Sequence, residues 1–276
     1  MSSMEHHAAL VDLAHRHLAT QTADGWLSLV LPAVRLEPVG AAAVGPVVGH
    51  LGGNPWLPDG VGWPQWPNHG PLTYIAGIDC AGLPAGDLGM PFPVDGTLLF
   101  FYFDGQLDDG EALVLPSEPD SAAGARVIFV PADVATKEQV SPDGIEPYRR
   151  VDLTMRLHST IGGTDHPRIV NVFDLADHGD DHPLNSEDFE EALYEWWDGS
   201  GPGHQVGGYP NAVQGPVEYE VAEGSDAAQW LLLAQIESDE GVGMMWGDGG
   251  ALYWLIRRDD LAAGRFDQTR FTWQCS

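Results

Sequence analysis

The chain has 276 residues, 43% of them hydrophobic and ten of them tryptophan, which is enough apolar side chain for a packed core. It carries 41 acids against 12 bases, a net charge of -29, and Lys137 is its single lysine. A field of that sign repels phosphate backbones and anionic headgroups, which argues against nucleic acid and anionic membranes as partners. Along the chain, residues 4–21 carry a helical apolar stripe of Leu10, Leu13, Ala14, His17 and Leu18, within an N-terminal segment 1–25 that Gly25 closes. Trp26–Leu36 alternates as a strand. Residues 38–71 are rich in Pro and Gly and read as an ordered loop carrying Trp56, Trp63 and Trp66. Strands are expected at 72–79, 97–103, 111–116 and 125–131, from their β-branched and aromatic content. Over 149–158, Val151, Leu153, Met155 and Leu157 alternate with polar residues.

Residues 174–185 read as an acidic, histidine-containing loop. A helix is expected over 186–197, with Ser186 as its N-cap, acids in its first turn and Gly199 beyond its end. After a loop at 201–216, strands are expected near 217–221, 230–237, 251–257 and 268–275, with a helical turn at 259–264. Strands outnumber helices and rarely alternate with them. The expected class is α+β, mainly antiparallel sheets with few helices.

Two stretches read alike. Gly52-Gly53-Asn54-Pro55 and Gly207-Gly208-Tyr209-Pro210 each precede an apolar run ending in Ile and an acid, Ile78-Asp79 and Ile236-Glu237. Each run is followed by a glycine and an aromatic-rich run, Gly96–Tyr102 and Gly250–Ile256. This predicts two pseudo-repeated β-rich halves, about 27–131 and 200–276, sharing one core with a groove at their junction.

Chemistry-bearing motifs are sparse. There is no CxxC, phosphate loop, dinucleotide fingerprint, Gly-x-Ser-x-Gly elbow or His-Glu-x-x-His. The loop beginning at Asp104 has Asp109 and Leu115 where a calcium loop needs Gly and Glu. Asp174, Asp177, His178, Asp180, Asp181 and His182 form the densest group of metal-type ligands, but one loop rarely supplies convergent geometry alone. No cofactor and no resident metal are expected. Cys80 and Cys275 are expected as free thiols in a reducing cytoplasm, in the absence of a signal-type apolar segment.

The candidate ligand-binding residues are Trp56, Trp63, Trp66, His204, Gln205, Tyr209, Gln214, Asp239, Trp246 and Asp248. They combine aromatic walls with amides, an imidazole and acids around glycine turns, a set that fixes a polar ligand. Trp63→Ala separates two roles for the tryptophans: unfolding marks a loop staple, and loss of ligand alone marks a groove wall.

Gly52–Pro58, Trp63-Pro64, Ile78-Asp79 and Gly96–Phe103 resemble the front half of the YwqG-like family. His204–Gln214, Leu231–Glu237, Trp246–Gly250 and the ending Phe266-Asp267 to Gln274-Cys275 resemble its back half. The resemblance spans about 35–276. It implies an α+β cytoplasmic bacterial protein and carries no activity, cofactor or catalytic residue.

Two classes of function follow. One is a non-catalytic binding protein, monomer or weak dimer, taking a small polar ligand in its groove. Its variant is an immunity-type protein whose acidic surface neutralises a basic protein partner. The other class is a hydrolase using His204 with Asp239, Asp248 or Glu237 as an acid–base pair.

Overall fold

The computed structural model describes residues 3–40, 45–178, 181–198 and 203–275. Its strands are β1 (Leu31–Pro38), β2 (Gly49–Leu51), β3 (Trp56–Pro58), β4 (Gln65–Trp66), β5 (Gly70–Pro71), β6 (Thr73–Asp79), β7 (Thr97–Tyr102), β8 (Ala125–Val130), β9 (Thr136–Glu138), β10 (Val151–Thr160), β11 (His204–Val206), β12 (Trp230–Glu237), β13 (Ala251–Arg257) and β14 (Arg270–Gln274). Its α-helices are α1 (Ser3–His17), α2 (Thr20–Leu27), α3 (Pro167–Phe173), α4 (Leu175–His178), α5 (Glu187–Asp198), α6 (Glu218–Val221) and α7 (Arg258–Ala262). Ten strands form one sheet in the order β14-β13-β12-β11-β1-β10-β2-β6-β7-β8, while β3–β9 and β4–β5 form small ribbons. Every pairing in the large sheet is antiparallel.

The sheet order reads alike from its centre outward. β1 and β10 pair along their length, from Leu31 opposite Thr160 to Pro38 opposite Leu153. Beyond β10 lie β2, β6, β7 and β8; beyond β1 lie β11, β12, β13 and β14. Each wing begins with a three-residue strand that runs into two glycines. Gly52 and Gly53 have φ of 56° and 74°, and Gly207 and Gly208 both have φ of 70°, a region that side chains with a Cβ resist. The residue two before each turn holds it in the same way: His50 Nδ1 lies 2.9 Å from the Gly52 carbonyl, and Gln205 Nε2 donates to the Gly207 carbonyl at 2.8 Å. Each following strand pair carries one irregularity, between Tyr74 and Ala76 and between Leu232 and Ala234. The connections cross at the centre: β1 precedes β2 in the chain but pairs with β11, and β10 precedes β11 but pairs with β2.

The two wings pack against each other through their aromatic faces. Phe100 meets Trp254 at 5.1 Å between ring centroids, Tyr102 stacks on Phe271 at 4.8 Å and Phe129 stacks on Phe266 at 5.2 Å. All of these rings but Phe129, which packs against it, belong to the largest core cluster, with Val34, Leu36 and Leu153 of the central strands. Each large apolar side chain fully buried there contributes about 1.5–3 kcal/mol. On the other face of the central strands, α1, α2 and α5 form a second cluster, in which Leu10, Ala14, Leu193 and Phe189 surround Trp26. A third, smaller cluster joins Val217 and Val221 of the α6 region to Trp230, Leu232, Tyr253 and Leu255.

Several sequence expectations are corrected. Residues 20–27 are helical, and Trp26 is a buried helix residue, so the strand starts only at Leu31. Gly25 sits inside α2 and does not end the helical segment; a Cβ there would lie 3.6 Å from the Phe173 ring, an ordinary contact. Residues 111–116 form no strand; Ser121 Oγ bonds both backbone groups of Leu115 and holds the segment as a turn. Residues 217–221 form α6 instead of a strand, and the loop regions 38–71 and 201–216 each contribute a strand to the main sheet. Ser186 does start α5, but its hydroxyl donates to the Pro183 carbonyl. Gly199, expected past the end of that helix, lies outside the described residues. Among the described residues no helix is long and apolar enough to cross a membrane.

Candidate functional site

A row of polar side chains crosses six strands in register on the helix-bearing face. It runs Arg156 (β10), Arg35 (β1), Gln205 (β11), Gln235 (β12), Tyr253 (β13) and Thr272 (β14). Gln205, Gln235, Tyr253 and Thr272 are buried, so each must find partners within the protein. Gln205 donates to the Gly207 and Tyr209 carbonyls, both at 2.8 Å. Gln235 accepts from the Asn211 N–H at 2.9 Å and donates to Glu237 at 2.7 Å. Tyr253 donates to the Asn211 carbonyl, and Thr272 donates to Glu220. The row thus fastens the segment after the second Gly-Gly turn over the sheet.

Beside this row lies a cavity of about 290 Å³, between β10, β1, the Gly162-Gly163 turn, α5 and residues 209–218. Arg35, His158, Gln205 and Glu237 are on its sheet side, and Asp165, His166, Glu218, Trp197, Tyr209 and Asn211 are among its other lining residues. Gly203 stands where a Cβ would come within 2.8 Å of the Arg35 guanidinium, so the backbone rests directly on that cation. His166 starts α3: its Nδ1 accepts from the Arg168 N–H at 3.1 Å, which places the proton on Nε2, 3.1 Å from Glu218 Oε1. Both side chains of this pair are buried. The second oxygen, Glu218 Oε2, is buried with no hydrogen-bond partner among the described residues.

Electrostatics follow burial. Desolvation, reinforced by Arg35 and Arg156, drops His158 to about 4, so it is neutral at physiological pH. Desolvation raises Asp165 and Glu237 above the usual carboxylate range, and lowers Arg35. The hydroxyls near the cavity are engaged: Thr160 donates to the Leu31 carbonyl, Tyr209 to the Leu29 carbonyl, and Ser159 Oγ lies 3.0 Å from His7 Nδ1. Elsewhere, burial pushes the Cys80 thiol up to about 12, which withholds a thiolate nucleophile, and Cys80 and Cys275 are both free.

The residues expected from sequence fall in several places. Gln205 and Tyr209 line the cavity. His204 is buried one residue away, on the opposite side of β11; its Nδ1 accepts the Glu237 N–H at 3.2 Å and its Nε2 lies 3.4 Å from Asp239. Hydrogen bonding to His204 lowers Asp239. Gln214 is exposed and offers its backbone N–H to Gln274. Trp246 is buried between the wings against Tyr102 and Tyr148, while Asp248 is exposed in the turn beyond it. Trp63 and Trp66 cover the first wing: Trp63 Nε1 donates to the Leu72 carbonyl at 2.7 Å and packs on Phe101, and Trp66 stacks on His69. Trp56 is exposed on the β3–β9 ribbon.

The two Gly-Gly turns do not share a groove. Gly52 abuts Tyr148 and Arg149, just before β10, whereas Gly208 abuts Thr160 at its far end. The strand between them is ten residues long, about 30 Å at the usual rise. Arg35, His158, Asp165, His166 and Glu218 carried no sequence motif. The available signal was the polar side of 149–158, whose Thr154 and His158 are buried on a face that a helix covers. Of the acidic segment 174–182, the side chains of 178–180 are outside the described residues. Among the described residues no three His, Cys, Asp or Glu side chains are placed to hold a metal.

Fold and site together define an α+β protein with one curled ten-stranded antiparallel sheet and a polar cavity beside its central strands. The chain belongs to the family described as a domain of unknown function (DUF1963), whose model matches residues 49–275. No curated protein matches it.

Proposed function

We propose that this is a non-catalytic binding protein that holds a small polar ligand in the cavity beside β1 and β10. The observation carrying this reading is Glu218: a carboxylate 1% exposed, fixed by His166 through one oxygen and unanswered at the other. A buried charge without a full set of partners is costly, and a ligand donor would complete it. The cavity is near the lower end of the size range of small-molecule sites. The hydrolase reading has less support. Each His204 nitrogen faces a protein group, and the cavity's hydroxyls are engaged. The reading of an acidic surface docking a basic protein rests on the net charge of -29 alone. The test is a thermal-shift screen of polar metabolites on the wild type and on Ala212→Trp, a change at the exposed rim of the cavity. A ligand of this site raises the wild-type melting temperature and not that of the variant. A hit that shifts both proteins equally binds elsewhere and sinks the reading.

We also infer that the chain is an internal duplication, with halves at about 31–130 and 151–274 that exchange their first strands. The matching outward strand orders, the paired Gly-Gly turns and the paired irregularities support it. The YwqG-like resemblance, over about 35–276, agrees in extent with the matched 49–275 and supports a place in that group. The cavity adjoins one wing only, with Arg35 reaching it from the exchanged strand β1. At the place of Gln235, the first half has Gly77, where a Cβ would meet the Tyr74 hydroxyl at 2.4 Å. Tyr74 fills the space that the second half leaves open.

A further inference from the structure

The clearest unanswered group at the cavity is an acceptor. Glu218 Oε2 is an acceptor without a donor. Gln205 spends both N–H groups on the Gly207 and Tyr209 carbonyls, so only its oxygen is left to offer. His158 Nδ1 is buried with no hydrogen-bond partner among the described residues. Glu218 and Gln205, two buried side chains lining one cavity, therefore each offer an acceptor oxygen.

The charges point the same way. Asp165, Glu218 and Glu237 line the cavity against the single guanidinium of Arg35. Arg35 is already drawn to Glu237 and Glu37. An anionic ligand would face three carboxylates in a part-desolvated site, where like charges repel more strongly than in water. A bare metal ion lacks the three-residue ligand group it would need among the described residues. The Tyr209 and Trp197 rings supply an apolar and cation-compatible wall.

Resting on the binding reading above, we infer that the ligand is a small organic cation whose ammonium or amidinium head donates to Glu218, with its body against Tyr209 and Trp197. His166 contributes by tying up Oε1, which leaves Oε2 as the carboxylate oxygen with no partner among the described residues.

Three probes of one shape and different charge test this: phenethylamine, 2-phenylethanol and phenylacetate, titrated calorimetrically at pH 7. The amine is expected to bind about tenfold more tightly than the alcohol or the acid, a difference of about 1.4 kcal/mol. Glu218→Gln presents an amide in place of the carboxylate; it is expected to weaken the amine about tenfold and leave the alcohol within about twofold. Should that buried change unfold the protein, Ala212→Trp at the exposed rim gives the second measurement: amine binding lost with the melting temperature kept. Tighter binding of the acid or alcohol, no binding of the amine, or unchanged amine binding in a folded Glu218→Gln protein would each overturn the inference. If the probes fail while the metabolite screen finds a ligand that Ala212→Trp excludes, the cation class falls and the binding reading stands. If both fail, both fall.

Discussion

His158 is protonated in the unfolded chain and neutral in the folded one across mild acid. Burial, then Arg35, Arg156 and His6 facing it, hold its folded value at about 4 against an ordinary 6.5. Above 6.5 neither state binds the proton and the group has no effect on stability. Between 6.5 and 4 the unfolded chain takes the proton and the folded chain does not, so stability falls as pH falls. Below 4 the loss levels off, having reached about 3 kcal/mol. Asp165 and Glu237 act in the opposite direction. Their raised values mean that the folded state holds protons more readily, so their contribution is greatest in acid and is lost as pH rises through the folded values. Urea denaturation of the wild type and of His158→Gln at pH 7 and pH 5 separates the terms. The variant is expected to lose about 2 kcal/mol less than the wild type between those conditions. Equal losses in both proteins would show that His158 takes up its proton in the folded state.

At the scale of elements, the tryptophan-rich loop after β2 covers the first wing, and the cavity adjoins the second. Trp63 is part-buried, hydrogen-bonded to Leu72 and set edge-on to Phe101. Trp63→Ala is expected to cost about 3 kcal/mol of stability through lost packing and lost contacts. Ligand affinity at the cavity is expected to stay within about twofold of wild type in calorimetry. Lost affinity in a folded variant would place the ligand near the first wing instead. Legibility from sequence divides along the same lines. β6, β7, β12 and β13 were legible because apolar runs of six to eight residues exceed what turns contain. β2 and β11 were not, because three residues show no period. Residues 217–221 were misread because Val217 and Val221 fit both a strand and a helical turn: four residues is a multiple of two and close to 3.6. The 20–27 helix was misread because Trp26, Leu27, Leu29 and Leu31 imitate alternation, while packing on Phe189 fixes Trp26. The site was legible at Gln205, Tyr209 and Glu237. Its other members meet through cross-strand register and through contacts such as His166 with Glu218, which no local pattern encodes.

At the scale of the molecule, the crossed central strands make each wing depend on the far end of the chain. β1 lies between β10 and β11, and β2 joins the sheet between β10 and β6. A fragment ending at Asp143 therefore contains β1 and the first wing without β10, the strand that joins them. The complementary fragment from Gly144 contains β10 and the second wing without β1. Each fragment alone exposes an apolar face that the other wing covers in the whole chain, as Phe100 covers Trp254 and Tyr102 covers Phe271. Each also leaves unpaired the sheet edges that β1 or β10 would occupy. Neither fragment is expected to fold by itself, and their near-ultraviolet circular dichroism should be flat. Mixed at equal concentration they are expected to regain the near-ultraviolet signal of the intact chain and to co-elute as one species of its size. The cut tests the crossing specifically, because it falls in the loop between β9 and β10 and breaks no strand. A 1–143 fragment that folds alone would show that the first wing is self-sufficient and that β10 is dispensable to it. Reconstitution would also be expected to restore the cavity, since Arg35 comes from one fragment and His158, Gln205 and Glu218 from the other.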